Sequence, residues 1–440
     1  MTTSKFIMAG VALAVMASCT ENDIILPGKR EDLRAPFGET SEERVKSENV
    51  AQKISLAKQV SNANWQQRIG TPSTRTSHPA LAQNLTGIQW STPIGQGDSR
   101  RYRITADPVV ADDRIFVMDA KSTVSAVSLS GQKLWSVNIT PDRDRESAAG
   151  GGGLAYGDGK LIVTSGFGNL RALDPASGAE IWTQDLDAAT TGTPSISRGL
   201  VYVVGGDSVA WAVNSDSGRV VWQLDGSAGI SRVSGGPAPA VGDDLVVFAF
   251  GSGELQAAFR KGGARRWDAT LAGQRRGIAA TTVSDITGDP VISGNTIYAG
   301  SYSGRIVALN ADSGARLWTA KDGALGPVWP AGGSVFAVTD RNELVRLDNS
   351  TGERIWGARL PFFTREIRRR SVEVVAHYGP IIAGGRLIVG SNDGVVRSFD
   401  PESGASLGAV EVPGGVTTNP VVAGNTLYVV SRKGVLHALR

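Results

Sequence analysis

The sequence has little of what most enzymes are built from. Its one cysteine, Cys19, excludes an internal disulfide and any multi-cysteine metal site. Three histidines, His78, His377 and His437, leave little for zinc binding or general-base chemistry. There is no Gly-x-Ser-x-Gly elbow, no phosphate-cradling Gly-x-x-x-x-Gly-Lys loop and no His-Glu-x-x-His pair. Neither charge sign dominates: 45 basic and 42 acidic residues give a net charge of +3, without the clustered basic patch of a nucleic-acid binder. No apolar run reaches the roughly 20 residues a membrane-spanning helix needs. The 19 prolines come without a Gly-X-Y period, which excludes collagen. What the chain does have is glycine, 55 of 440 residues, beside 41% apolar residues. That combination indicates a large core crossed by many turns.

The N-terminus reads as an export signal. Residues 1–5 carry one lysine, residues 6–17 are apolar or small, and Ala17-Ser18 precede the lone cysteine. This run resembles a bacterial lipobox. The resemblance implies a lipoprotein signal peptide at 1–18, cleavage before Cys19, and acylation of its sulfur and new amino group. A plain signal peptide with a coincidental cysteine is the alternative. Thr20 rather than aspartate follows Cys19, which among lipoproteins points to the outer membrane, with the body facing the periplasm. Residues 19–63, of mixed charge and few aromatics, read as a flexible tether, and the folded body is expected from Asn64 to Arg440.

The body is repetitive. Ala172-Leu173-Asp174-Pro175-Ala176-Ser177-Gly178-Ala179-Glu180-Ile181-Trp182 recurs at 212–222, 308–318 and 346–356, with looser copies ending at Trp135 and Trp267. In all six copies glycine stands four residues before tryptophan. An Asx residue followed by Ser/Thr-Gly is hairpin-turn chemistry: the side chain caps its own turn and glycine takes the positive φ. Tryptophan at a fixed distance from that turn is core packing. A seventh copy, 398–408, has Gly408 where tryptophan belongs. Upstream of each hairpin stands a second unit, Pro-Val-Val, a turn, then a short apolar run, as at Pro108-Val109-Val110 and Pro290-Val291-Ile292.

Residues 81–440 divide into eight such units of 45, each with four short strands. The pattern predicts an all-β, eight-bladed β-propeller of four-stranded antiparallel blades. The last unit stops at Arg440, and its missing strand lies at the other end, in Thr86-Gly87-Ile88-Gln89-Trp90. The N-terminal strand is therefore expected to close the ring and remove its edge. In this copy glycine precedes tryptophan by three residues. Seven docking tryptophans follow: Trp90, Trp135, Trp182, Trp222, Trp267, Trp318 and Trp356.

The repeat resembles the tryptophan-docking motif of the PQQ-type propellers over about 80% of the chain. One branch, the quinoprotein alcohol dehydrogenases, uses pyrroloquinoline quinone, usually Ca²⁺ held by carboxylate and amide oxygens, and an aspartate base. Its members often carry a vicinal cysteine pair, which this chain lacks. Asp243-Asp244 reads as a solvated turn, and 150–153 as a glycine-rich loop. The other branch is the BamB family of outer-membrane assembly lipoproteins. That resemblance implies a non-enzymatic scaffold without cofactor or metal, bound to the POTRA domains of BamA, anchored in outer-membrane lipid through Cys19, and open to nascent outer-membrane proteins. In that family two neighbouring inter-blade loops make the BamA contact. One carries apolar residues and an arginine before a Pro-Ala-Pro strand start; the other carries Ser-Asp-hydrophobic-Asp before the next blade. The matching positions are Ile230, Arg232 and Val233, and Val283, Ser284, Asp285 and Ile286. Arg232 stands two residues early, and Thr287 replaces the second aspartate. A third irregular stretch, 362–370, joins Phe362-Phe363 to Arg368-Arg369-Arg370. A PQQ-dependent enzyme and a scaffold for another envelope partner remain the alternatives.

Overall fold

Short β-branched and aromatic runs bounded by Gly and Asx turns become strands, and each set of four in sequence pairs antiparallel into one sheet. A computed structural model describes residues 49–440 apart from 146–147, 191, 230–234, 272–284, 365, 368–369 and 372. Among the described residues there are eight four-stranded sheets and one two-stranded hairpin. Seven sheets are sequential; the eighth adds Ile88–Pro93 to the outer side of Val435–Leu439. The ring thus closes as the sequence indicates. Blade 5 shows the pattern, with Val291–Ser293, Thr296–Ser301, Arg305–Asn310 and Arg316–Ala320 running from inside to outside.

The Asx turn behaves as its chemistry requires. Asp174 Oδ1 accepts from the backbone N–H of Ala176 and Ser177 and from the Ser177 hydroxyl, while Gly178 takes φ +76°. The glycine's partner, however, is not the tryptophan of its own repeat. A Cβ on Gly352 would lie 2.5 Å from the Trp318 ring, and one on Gly314 would lie 2.6 Å from Trp267. Each tryptophan lies on the glycine of the next blade. It also donates its indole N–H to a carbonyl of that same turn. The seven bonds, from Trp90 to Leu129, Trp135 to Pro175, Trp182 to Ser215, Trp222 to Arg260, Trp267 to Ala311, Trp318 to Asn349 and Trp356 to Pro401, measure 2.8–3.2 Å.

This arrangement accounts for both irregular copies. Gly408 stands on the outer strand of blade 7, and the blade it faces has no outer hairpin turn, because Arg440 and Gly87 come from opposite chain ends. A Cβ at either Gly408 or Gly87 would meet nothing within 4 Å. The missing tryptophan and the shifted glycine are two sides of one interface that has no dock.

Residues 49–83 are bound to the blades along their length. The expectation of a free tether through residue 63 is corrected here. Asn49 exchanges hydrogen bonds with the backbone of Gly357, and Val50 N–H donates to Ile355 O on the outer strand of blade 6. The segment then makes one lap inside the ring in blade order. Asn62 bonds Val422 of blade 8, Trp65 pairs with Val110 of blade 1, and Gln66 O accepts from Tyr156 of blade 2. Gln67 pairs with Ile196 of blade 3, Pro72 O accepts from Val241 of blade 4, and Ser73 O from Ile292 of blade 5. Arg75 reaches Val328 of blade 6, and Pro79 O accepts from Gly384 of blade 7. Arg386 then binds the carbonyls of Ala82 and Gln83 beside the blade 7–blade 8 boundary.

Strand reversal assigns the loops to faces. Turns between first and second strands, and the docking hairpins, share one face; the inter-blade connections share the other. The backbone of the inner strap lies near the first face.

Trp318→Ala should cost about 3–5 kcal/mol through lost burial and a cavity. Gly352→Ala should destabilise through the same contact and through its φ of +75°. In urea titrations the two losses should be sub-additive. Additivity within about 0.5 kcal/mol would mean that the two residues do not share a dock.

Candidate partner-binding face

Four connections on the second face stand out by length, 271–290, 360–376, 94–108 and 226–239. The first and last are neighbours, flanking blade 4. Their stems are locked to each other and to the blades. Ala238 N–H donates to Asp289 Oδ1 at 2.6 Å, so a carboxylate of one connection caps the backbone of the other. Gly236 O accepts from Thr193 N–H, and Ser195 donates its hydroxyl to Pro239 O. Asp285 O accepts from Tyr302 N–H, which ties the second stem to blade 5.

Behind these stems, at the ring centre, stand two arginines from the inner strap. Arg68 Nη1 donates to Gly236 O at 3.2 Å, Gly235 O at 3.3 Å and Thr193 Oγ1 at 3.4 Å. Its Nε lies 3.2 Å from Asp107 Oδ2 and 3.4 Å from Asp289 Oδ2. Burial alone would pull this guanidinium down, but Asp289 and Asp107 outweigh it and hold Arg68 above the ordinary arginine value. Burial pushes the Asp289 carboxyl up, against the pull of Arg68 and the Ala238 N–H. Asp107 also accepts from Asn419 N–H and Nδ2 at 2.8 and 2.7 Å. Arg75 donates to Pro327 O and Pro380 O and stacks 4.5 Å over the Trp329 ring.

Most of the sequence-derived contact residues, Ile230, Arg232, Val233, Val283 and Ser284, lie outside the described residues, as do Cys19 and the signal segment. The other two turn inward. Asp285 is 6% exposed, and Ile286 is fully buried with Leu255, Leu271 and Ile297. The expectation of an exposed apolar contact is therefore corrected at Ile286: it wedges the stem into the blade 4–blade 5 core. Gly150 and Gly153 are not a loose loop. A Cβ there would lie 2.5 Å from Ala120 O and from Thr193 Cα, so backbone closeness requires glycine, and Gly152–Gly157 is the innermost strand of blade 2. Asp243 makes an exposed ion pair with Arg198 in its turn. Phe362 is 44% exposed, its ring edge-to-face with Phe363 at 4.7 Å, at the base of a small hairpin, Glu366–Ile367 with Arg370–Ser371.

The strap arginines, Asp107, Asp289 and Asn419 were not found from sequence. They occur once each and stand outside the repeat. One signal was visible: Arg346 occupies the alanine position of the repeat. Its guanidinium binds the carbonyls of Gln52, Lys53, Pro401 and Glu402, pinning the incoming chain between blades 6 and 7.

The axial carboxylates and amide are the chemistry that a quinone-bound Ca²⁺ would take. They do not fit one here. Both carboxylates face Arg68 Nε, and Asn419 is turned onto Asp107, so a cation held by them would lie against a guanidinium. Among the described residues no group of three or more His, Cys, Asp or Glu side chains is arranged to hold a metal ion.

A ring of this repeat, closed by its N-terminal strand, is an eight-bladed propeller of the PQQ type. The profile described as outer membrane protein assembly factor BamB matches residues 120–358 and 369–440, and the chain belongs to that family. Assembly factor BamB of Shewanella oneidensis is 25% identical over 79% of this chain and 87% of its own length. That of Burkholderia pseudomallei is 24% identical over 85% and 92%. The crystal structure of BamB from Moraxella catarrhalis superposes with a TM-score of 0.67 at 21% identity, covering 81% of this chain and all of that one. A quinohemoprotein alcohol dehydrogenase from Pseudomonas putida reaches the same TM-score at 14% identity, over 86% of this chain and 80% of its own. These structural likenesses speak to fold alone.

Two buried histidines set an acid limit on this fold. Burial holds His377 and His437 below the ordinary imidazole value, and His377 also bonds Pro361 O under the Phe362 connection. Both are neutral when folded, whereas the unfolded chain takes up protons as pH falls through about 6.5. Stability is then complete above that value and declines as pH falls toward the depressed folded values. The melting temperature should drop between about pH 7.5 and 5.5, and His377→Gln with His437→Gln should flatten that slope. An unchanged slope in the double variant would assign the effect elsewhere.

Proposed function

We propose that this chain is an outer-membrane-anchored, periplasm-facing lipoprotein and a non-enzymatic scaffold of the outer-membrane β-barrel assembly machinery. The BamB family profile, matching most of the propeller, carries the reading. Acylated Cys19 holds it to outer-membrane lipid, with residues 1–18 removed and 19–48 as tether. The connections 226–239 and 271–290 bind the POTRA domains of BamA, using Ile230, Arg232 and Val233 with Val283 and Ser284, while Asp285, like Ile286, stays in the buried stem. Stems already fixed to the blades favour this, because a loop with anchored ends loses less entropy on docking. Branched apolar residues beside an arginine supply an apolar centre with a charged edge. Arginine pairing at the axis supports a role without cofactor. Nascent outer-membrane proteins could pair with exposed outer strands by β-augmentation; Val50 on the blade 6 edge is an internal instance of that contact.

The test is a pull-down from detergent-solubilised envelopes with lipidated wild type, Arg232→Glu and Val233→Asp, melting temperatures checked in parallel. Wild type should capture BamA, and each variant should lose about 2 kcal/mol or more. Capture by all three would keep the partner and remove these loops from the site. Capture by none would pass the scaffold role to another envelope partner. Cys19→Ser should move the protein from membrane to soluble periplasm, read by fractionation. Retention in the membrane would remove the lipid anchor.

A further inference from the structure

We propose that Arg68, a residue of the inner strap, is the positioning residue of the partner-binding face: its guanidinium fixes the stems of connections 226–239 and 271–290 relative to each other. The proposal rests on the reading of those connections as the partner surface. The geometry behind it is independent of that reading.

One side chain meets both connections. Arg68 Nη1 donates to Gly235 O and Gly236 O, at the end of the first, and Nε faces Asp289, at the end of the second. Asp289 in turn accepts from Ala238 N–H, so the three groups form a closed chain across the two stems. Asp107 and Thr193 hold the same guanidinium from blade 1 and from the start of blade 3, giving it a fixed footing on the ring. The arginine fork suits this work. Planar donors at fixed angles meet carbonyls and carboxylates together, which a lysine ammonium cannot reproduce.

The other stem contacts are local. Tyr302 to Asp285 and Ser195 to Pro239 each bind one connection to one blade. Among the described residues, Arg68 joins the two connections alongside the Asp289–Ala238 bond. Two loops that must present one surface need such a junction, because connections of this length lose considerable entropy when ordered separately. Arg75, by contrast, hydrogen-bonds Pro327, Val328 and Pro380 by blades 6 and 7 and meets the connections only through the charge of Asp289.

The test compares wild type, Arg68→Lys, the charge-neutral pair Arg68→Met with Asp289→Asn, and Arg346→Ser, which releases the strap only at blades 6 and 7. The paired variant avoids leaving an uncompensated buried charge. Hydrogen exchange by mass spectrometry on the full-length proteins reads the loops, and capture of purified BamA POTRA domains reads the face. In both Arg68 variants exchange should rise at least tenfold in the stem peptides covering 235–239 and 285–290, with the outer strands unchanged. POTRA affinity should fall about tenfold or more. Arg346→Ser should loosen residues 49–54 and leave POTRA binding intact.

Exchange rising evenly around the ring, or loops protected as in wild type, would overturn the proposal. So would loosened loops with unchanged POTRA affinity. If wild type itself binds no POTRA domain, the partner reading fails, and the exchange data alone decide whether Arg68 positions the connections.

Discussion

The structure depends on an indole laid on a neighbour's glycine. A blade of four short strands has two apolar faces and cannot bury either alone, so it persists only if the next blade covers it at a fixed angle. The tryptophan sets that angle twice over. Its ring fills the space that a Cβ on the next turn would need, and its N–H finds a carbonyl of the same turn. Dispersion and hydrogen bonding thus act at one point, and a slip between blades would lose both. Because the glycine and tryptophan of one repeat serve two different interfaces, the motif is a link in a chain rather than a local unit. Seven links join eight blades; the interface between blades 7 and 8 has none, and the ring closes by strand pairing inside blade 8.

That economy decides what could be read from the sequence. Anything repeated was legible: the strand number, the Asx turns, the docking rings and even the closing strand, since an incomplete last unit and a leftover first one have a single joint explanation. The partner of each glycine was not legible, because spacing within a repeat says nothing about which blade faces it. The two irregular copies therefore appeared as separate flaws, at Gly87 and at Gly408, until the structure brought them to one interface.

The inner strap was illegible for the opposite reason. Residues 62–79 touch every blade in turn, but each blade meets a different residue, some through backbone and some through side chains, which leaves no repeating pattern in the sequence. Residues 19–63, of mixed charge and few aromatics, read as tether by composition, whereas from Asn49 on they are bound to the blades, and the expected body from Asn64 gave no sign of a strap. What composition could not weigh is that Arg68 and Arg75 have carbonyls and carboxylates waiting for them. Departures from the repeat were the available signal: an arginine in place of alanine at Arg346 marked where the incoming chain is pinned. The apolar contact expected at Ile286 failed in the same way. A branched residue before a blade is as well suited to wedging a stem into the core as to meeting a partner, and only burial separates the two.

The axis offers the clearest choice between the two functional classes that this fold serves. Two carboxylates and an amide near the centre of a ring could hold a cation, and a propeller built for redox chemistry would leave them facing one. Here the chain places its own cation against them. Removing the Arg68 guanidinium from water while keeping its charge requires both carboxylates, since one ion pair in a low-dielectric interior seldom offsets the desolvation of its members. Once Asp107 and Asp289 are committed to Arg68, they have no charge to give a metal. They acquire a mechanical role instead, because Asp289 also caps the neighbouring connection at Ala238. With one arginine, the two acids make a brace between two inter-blade connections.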